Sequence, residues 1–491
     1  MAYVIGADVG SQSVKALLMD MDGAEVSSAS VACTTYYPAP GWAEQDPQDW
    51  LAALCRAVRS TVARSGVAAR DVKALALGCQ VDGLVAMDAD LAALRRAIVW
   101  LDRRATSQCD ALREAAGDGP LVSRTGLNAD ASHTAPKAMW LRDEEPETYA
   151  RTRWLAPVGG YLTGWLTGDV VQDYANASST LLYDLSARAW SQELIAHAEL
   201  DTKKLPPIAA AADVIGPLRS SAADALGLTT DCVVAVGTGD DHAAAVGAGA
   251  VTPRVVVDIT GTAEPVVVPA HQAVFDECRI VETHAHAIDG MLLVENPGFV
   301  SGGSTQWLAA LHGITQTDVF AHAGEAPPGA GGALFLPTLS GSTTPRWNDR
   351  MRGVFAGLAL SHDITHLSRA VLEGCAYALR DVVERFAALG LDGGEVRVVG
   401  GGARSHTWLQ IKADITGRPM RPLQGAAATS RGAAMLAAIA AGIFRNPEEA
   451  AAQCVHLTED PVLPRAEFAS VYADGYARYR RLFDEVEGAL A

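Results

Sequence analysis

The stretch "GTGDDHAAAVG" (237–247) sets two adjacent carboxylates, Asp240 and Asp241, and an imidazole, His242, between the apolar run "CVVAV" and a series of small residues. Residues of these types support three chemistries: a metal site, a catalytic base with an acidic neighbour, or the polar start of a helix. Two carboxylates that face each other raise one another's proton affinity, which would assist a base. No second histidine stands at ligand spacing from His242, so capping or packing is the expected role of that ring.

Three further stretches could hold an anion. In "DVGSQSVK" (8–15) an aspartate ends an apolar strand, and Gly10, Ser11, Gln12 and Lys15 follow in a turn. Small residues let backbone N–H groups approach a phosphate, and Asp8 marks where a metal could sit. The stretch matches neither GxxxxGK[ST] nor GxGxxG, so a plain hairpin is the alternative, and Lys15 is then a surface charge. "VVGGGARSH" (398–406) leads from a strand into a helix; its glycines suit a nucleobase or ribose lying on the backbone, or close strand–helix packing. "NPGFVSGGSTQWLAAL" (296–311) opens a helix with Gly302 and Gly303, as an anion site or as a cap.

These residues need elements to place them. "YVIGADVGSQSVKALLMD" (3–20) and "VVVDITGTAEPVVV" (255–268) repeat one plan, an apolar strand, a turn of small and hydroxyl residues, and a second apolar strand; this reads as a duplicated domain or as two coincidental hairpins. Strands such as "KALALGCQ" and "VRVVGGG" alternate with helical stretches such as "PQDWLAALCRAVRSTVARSG". In "HLSRAVLEGCAYALRDVVERFAALG", Leu367, Val371, Leu372, Cys375 and Leu379 form one apolar face. The pattern predicts an α/β fold with a boundary near residue 250, in "GAGAVTPR", and a helical stretch over roughly the last 45 residues.

Composition narrows the function classes. The chain has 491 residues, 49% hydrophobic and 20% charged, enough for two domains. A formal charge of −18 argues against nucleic acid or an anionic membrane as the main partner, so any phosphate must be held locally. The eight cysteines form no CxxC pair and have no regular spacing, so neither a zinc knuckle nor a disulfide framework is suggested, and a reducing cytoplasm fits. The N-terminus has no basic region before its apolar run, and no stretch approaches the ~20 apolar residues of a membrane span.

The segment "GVFAGLALSHDITHLSRAVLE" (353–373) resembles the C-terminal signature of the FGGY carbohydrate kinases at Gly353, Phe355, Gly357, Leu358, His366, Leu367, Ala370, Val371, Leu372 and Glu373. "SHTAPKAMWLRDE" (132–144) is similar to the family's first signature, with Ala138 where a larger apolar residue is usual. "GWAEQDPQDW", "AIVWLDRR", "DYANASSTLLYDL", "FLPTLSG" and "GGGARS" resemble the xylulose kinase branch. The resemblance implies two ribonuclease-H-like (actin-like ATPase) domains with the active site in the cleft between them. A sugar-binding domain would span 1–250, a nucleotide-binding domain 251–445 and a helical tail 446–491. It implies an ATP- and Mg²⁺-dependent kinase for a small ketose or polyol, foremost a pentulose such as xylulose. Another pentulose, a tetritol, or a non-catalytic sugar-binding role are the alternatives, and a homodimer is left open.

By the same resemblance Asp240 matches the family's catalytic base; its local alternative is an N-cap for a helix starting near His242. Asp241 stands where the family has Asn or Gln, and reads as a ligand to sugar hydroxyls or a solvated charge at a helix start. "GCQVDGLV" (78–85) matches at Gln80 and Gly83, but Val81 replaces Met and Asp82 replaces His, as a hydroxyl acceptor or a turn residue. Trp100 and Asp102 complete the expected sugar-binding set. "GSTTP" (341–345) lacks two charges usual in the family. For ATP the matching positions are Gly10, Ser11, Gln12, Lys15, Gly261, Thr262, Gly302, Gln306, Gly401, Gly402 and His406. Asp8 is the expected Mg²⁺ residue, acting through water.

Overall fold

The computed structural model describes residues 2–425 and 427–490. Two sheets repeat one strand order. In the first, Glu25–Ala32, Ser13–Asp20 and Tyr3–Val9 form an antiparallel meander, and Val72–Cys79 and Val233–Ala235 continue it in parallel, with Val214–Pro217 at the far edge. In the second, Leu292–Asn296, Val266–Ala270 and Val256–Thr260 form the meander, and Val396–Gly400 and Met420–Pro422 run parallel beyond it. Glu282–Ala285 adds an edge strand beside Leu292–Asn296. The duplication read from the two hairpins is therefore one of topology, and coincidence is excluded.

Each central strand is covered on both faces, which is why it reads as a continuous apolar run. Along Tyr3–Val9 the alternation sends Ile5, Ala7 and Val9 to a core with Trp50, Leu54, Leu75 and Leu77, and Val4 to the opposite side. That opposite side is covered by Ala428–Ala440, a helix from the far end of the chain. Its fit depends on absent side chains, since a Cβ on Gly6 would lie 1.9 Å from the Ser430 carbonyl oxygen.

The helix Asp240–Gly247 stands between the two sheets. Val246 packs with the first, whereas Ala244 and Ala245 pack with Val257, Val267 and Val399 of the second. A Cβ on Gly432 would lie 1.8 Å from the Ala243 carbonyl oxygen, and one on Gly247 2.0 Å from that of Ala428. Close helix–helix approach thus accounts for the small residues after His242.

The long helix Ile364–Ala388 buries Val371, Leu372, Cys375 and Leu379 as expected, with Leu367 only half-buried. The C-terminal helix Ala469–Leu490 seats Tyr472, Tyr479 and Phe483 in the same core, and Arg369 donates to Tyr472 Oη at 2.6 Å. Among the described residues no helix is long and apolar enough to cross a membrane.

Candidate active site

Adjacent strand ends bring the acids together. Asp8 lies opposite Gly78 across one strand pair, and Gly78 opposite Thr238 across the next. The chain passes from Thr238–Gly239 straight into the helix, with Gly239 at the N-cap and Asp240 as the first helical residue. The capping alternative for Asp240 is thereby corrected: the helix begins two residues before His242. Asp240 Oδ1 accepts the Asp241 N–H at 3.1 Å, and Asp241 Oδ1 accepts the His242 N–H at 2.7 Å. A Cβ on Gly239 would meet Val81 Cγ1 at 2.5 Å, so Val81 packs over this turn and leaves room only for glycine.

Burial raises the proton affinity of Asp240, and Asp241 raises it further; Asp241 is raised by burial, with Asp82 and Asp173 adding to it. Asp8 is pushed up to about 8 by burial and by Asp240, against the opposing pull of Lys15. Lys15 sits directly across from Asp8 in the hairpin, beside the acids rather than as a remote surface charge. Three carboxyls held above their ordinary range in one place favour a cation, and oxygen donors suit Mg²⁺ held largely through water.

Next to them lies a polar cluster built within the first half. Asp82, at a left-handed φ of 58°, accepts Ser179 Oγ at 2.9 Å and faces His133 Nδ1 at 3.4 Å. Burial alone would raise the Asp82 carboxyl; His133, Lys137 and Ser179 outweigh it and hold it low. Burial lowers the proton affinity of His133, but the charge and hydrogen bond of Asp82, with the charges of Glu282 and Asp130, together outweigh it and raise the ring to about 9. Lys137 donates from Nζ to the carbonyls of Asp82 and Ser132 at 2.6 and 2.5 Å, tying the first-signature helix to this turn. Gln80 is buried, donates to Gln45 Oε1 at 2.7 Å, and leaves its own Oε1 without a partner.

On the other side the two hairpin loops meet: Gln12 Nε2 donates to Thr262 Oγ1 at 3.3 Å across 250 residues of sequence. Gly302 and Gly303 donate their N–H groups to the carbonyls of Gly261 and Thr262 at 3.1 and 2.9 Å. The start of this helix is therefore spent on fastening the second loop. Beneath that loop Lys412 Nζ is buried between Asp258 at 2.6 Å and Glu264 at 2.9 Å.

Residues 3–247 match the N-terminal domain, and residues 259–441 the C-terminal domain, of the FGGY family of carbohydrate kinases. The chain belongs to that family. It is 32% identical to xylulose kinase of Escherichia coli (strain K12), over 99% of this chain and all of the relative. It is 31% identical to glycerol kinase of Aromatoleum aromaticum, with both chains fully covered. The solved structure of a ligand-bound xylulose kinase from Lactobacillus acidophilus has the same fold, with a TM-score of 0.91 at 23% identity and 99% of each chain covered. The chain is thus a carbohydrate kinase with two actin-like ATPase domains, and ATP is the substrate of its family.

In this FGGY kinase the nucleotide-matching residues divide by environment. Gly10, Ser11, Gln12, Gly261 and Thr262 stand at the facing loops. Of the three glycines at 400–402, Gly400 holds φ 90° against the Thr260 carbonyl, and Gly402 leaves only 2.4 Å between an added Cβ and Thr260 Cγ2. Packing therefore explains those two, while Gly401 faces open space and is free for a ligand. Gln306 and His406 are exposed, the latter opening the helix capped by Ser405.

In the expected sugar set, Val81 and Asp241 adjoin Asp240, Asp82 lies near enough to Asp241 to raise it, and Gln80 precedes Val81 in the same turn. Asp102 is elsewhere occupied: its buried carboxylate accepts the Ala43 N–H at 2.5 Å and pairs with Arg104 at 2.8 Å. Trp100, two residues before it, is half-buried. In the loop "GSTTP", Thr343 donates to the Gly298 carbonyl at 2.9 Å, a neutral tether where the family carries charge.

Several residues of the cluster escape sequence reasoning. Asp173, which accepts Thr238 Oγ1 at 2.6 Å, together with Ser179 and His133, lies inside stretches that carry the family resemblance without standing out as functional. Glu282, His284, His286 and Glu295 belong to "ETHAHAIDGMLLVEN", where polar residues at alternate positions of a strand signal one polar face. His284 and His286 stack edge-on against His242, with ring centroids 5.8 and 6.3 Å away. The histidine neighbours missing from local spacing are supplied across the domains.

Proposed function

We propose that this FGGY kinase transfers the γ-phosphoryl group of ATP to a hydroxyl of a small ketose or polyol, foremost a pentulose such as xylulose, with Asp240 as general base. The observation that carries the reading is the position of Asp240, at the first turn of a helix between the halves, with its proton affinity raised toward neutrality by burial and Asp241. A base poised near the working pH is effective in taking a hydroxyl proton as the phosphoryl group arrives. Asp8 would hold Mg²⁺ through water, and the ion would neutralise charge on the nucleotide phosphates.

The remaining residues have positioning roles. The loops of Gly10–Gln12 and Gly261–Thr262, joined by the Gln12–Thr262 bond, supply backbone donors for phosphate, with Lys15 as the nearby cation. Gln80, with a free buried carbonyl oxygen, and Asp82, fixed by His133 and Ser179, orient the sugar hydroxyls, and Asp241 contacts the same substrate. The xylulose kinase relatives support a pentulose; a glycerol kinase relative of comparable identity favours a short polyol as the second reading. The two halves would divide near residue 250, with the sugar on the first and ATP on the second.

A coupled assay of ADP release across pentuloses, tetritols, hexuloses and glycerol tests the proposal. Xylulose is expected to give the highest kcat/KM. Preference for glycerol or a tetritol would move the assignment to the second reading, and no sugar-dependent ADP release from any of them would overturn it.

A further inference from the structure

We propose that Asp241, His242 and Glu295 form a binding site for a divalent transition-metal cation that bridges the two halves of the kinase, separate from the Mg²⁺ position at Asp8. One ligand atom from each of these residues lies within 4.8 Å of the other two, and Asp241 Oδ1 stands 4.0 Å from His242 Nε2. Donors on a tetrahedral ion with bonds of about 2.0–2.1 Å stand about 3.3–3.4 Å apart, so binding would draw these three side chains together by up to about 1.5 Å.

A second, independent observation points to a ligand. Glu295 and His242 are 2% and 1% exposed, yet Glu295 Oε2 and His242 Nδ1 have no hydrogen-bond partner. His284, on the strand paired with that of Glu295, likewise leaves both ring nitrogens unpartnered while packing against His242. An unpaired buried polar atom is costly, so several in one contact call for an occupant that satisfies them. A cation held by Glu295 and one ring nitrogen of His242, with Asp241 completing the set, gives the orphaned Glu295 Oε2 a partner.

The donor set selects the class of ion. Mixed imidazole and carboxylate donors suit Zn²⁺, Co²⁺, Ni²⁺ or Mn²⁺, whereas Mg²⁺ prefers oxygen and keeps its water. Asp241 and His242 come from the helix between the sheets and Glu295 from the second sheet, so occupancy would fasten the halves at the sugar end. The inference does not depend on which sugar is phosphorylated.

Co²⁺ is the probe, because its visible spectrum distinguishes nitrogen and oxygen ligation from binding by the free cysteines. The full chain, freed of metal with a chelator, is titrated by calorimetry and absorbance. One equivalent is expected, without thiolate charge-transfer bands, and with affinity lowered about tenfold or more in Glu295→Gln and in His242→Gln but unchanged in Asp8→Asn. Circular dichroism checks each variant; if His242→Gln does not fold, Glu295→Gln decides. No stoichiometric binding, a thiolate spectrum, undiminished binding by folded Glu295→Gln, or loss of binding in Asp8→Asn would each overturn the proposal.

Discussion

Gln12 and Thr262, 250 residues apart, share a hydrogen bond of 3.3 Å at the tips of two equivalent hairpins. It is a contact between the two copies of one duplicated motif. A net contribution of about 0.5–1.5 kcal/mol is usual for such a bond. Gln12→Ala should therefore raise the KM for ATP by about two- to tenfold, with the KM for sugar changed less. Steady-state kinetics with each substrate varied would check it, and equal rises in both constants would count against a role at the nucleotide loops.

Asp240→Asn should keep the helix start intact while removing the base. Sugar-dependent ADP release should fall by about 10²-fold or more. Sugar binding, measured by calorimetry, should persist. Turnover near the parent level would sink the assignment of Asp240 as base.

Asp8 carries a cost that pH exposes. Its carboxyl is raised from 3.8 to about 8 in the folded protein, so the native state binds more protons than the unfolded chain between those values, and stability falls as pH rises through that window. Asp8→Asn removes the penalty. Without nucleotide or metal it should raise Tm relative to the parent, by about 2–4 °C per 1 kcal/mol relieved, with a gap that widens from pH 5 to pH 8. Thermal scans at the two pH values that gave the same gap would contradict the electrostatic origin.

Asp82 and His133 form the opposite case. His133 is raised from 6.5 to about 9, so its contribution is fully present below pH 6.5 and is lost as pH rises through about 9. In Asp82→Asn the partner charge is gone and burial dominates, so the ring should titrate well below its parent value when followed by NMR. The KM for sugar should rise about tenfold or more, on the scale of a hydrogen bond to a charged group, with the KM for ATP unchanged. An unmoved His133 titration would refute the pairing.

Much of the architecture was legible because it is local. The hairpin at 3–20, the strand at 72–79 and the helix at 47–65 each follow from apolar periodicity and turn residues. In "GTGDDHAAAVG" a polar helix start is one of three readings open to the sequence, with the helix expected near His242, whereas Gly239 holds the cap and Asp240 the first turn. That distinction depends on Val81, which comes from a different strand end and admits only glycine at 239. The glycines at 400–402 look alike in sequence; only their neighbours separate Gly402, pressed on Thr260, from the open Gly401.

By itself the sequence determined the elements, the duplicated plan and the family to which the chain belongs, because hydrophobic period, turn chemistry and signature spacing are properties of neighbouring residues. Tertiary structure alone decided which charges meet. Asp82 is held low and His133 high because they are buried together, Asp102 is withdrawn into a pair with Arg104, and His242 gains His284 and Glu295 from the other half. Burial and electrostatic pairing act through space, between residues such as Asp82 and His133 that stand 51 positions apart in the chain, and no local pattern encodes that approach.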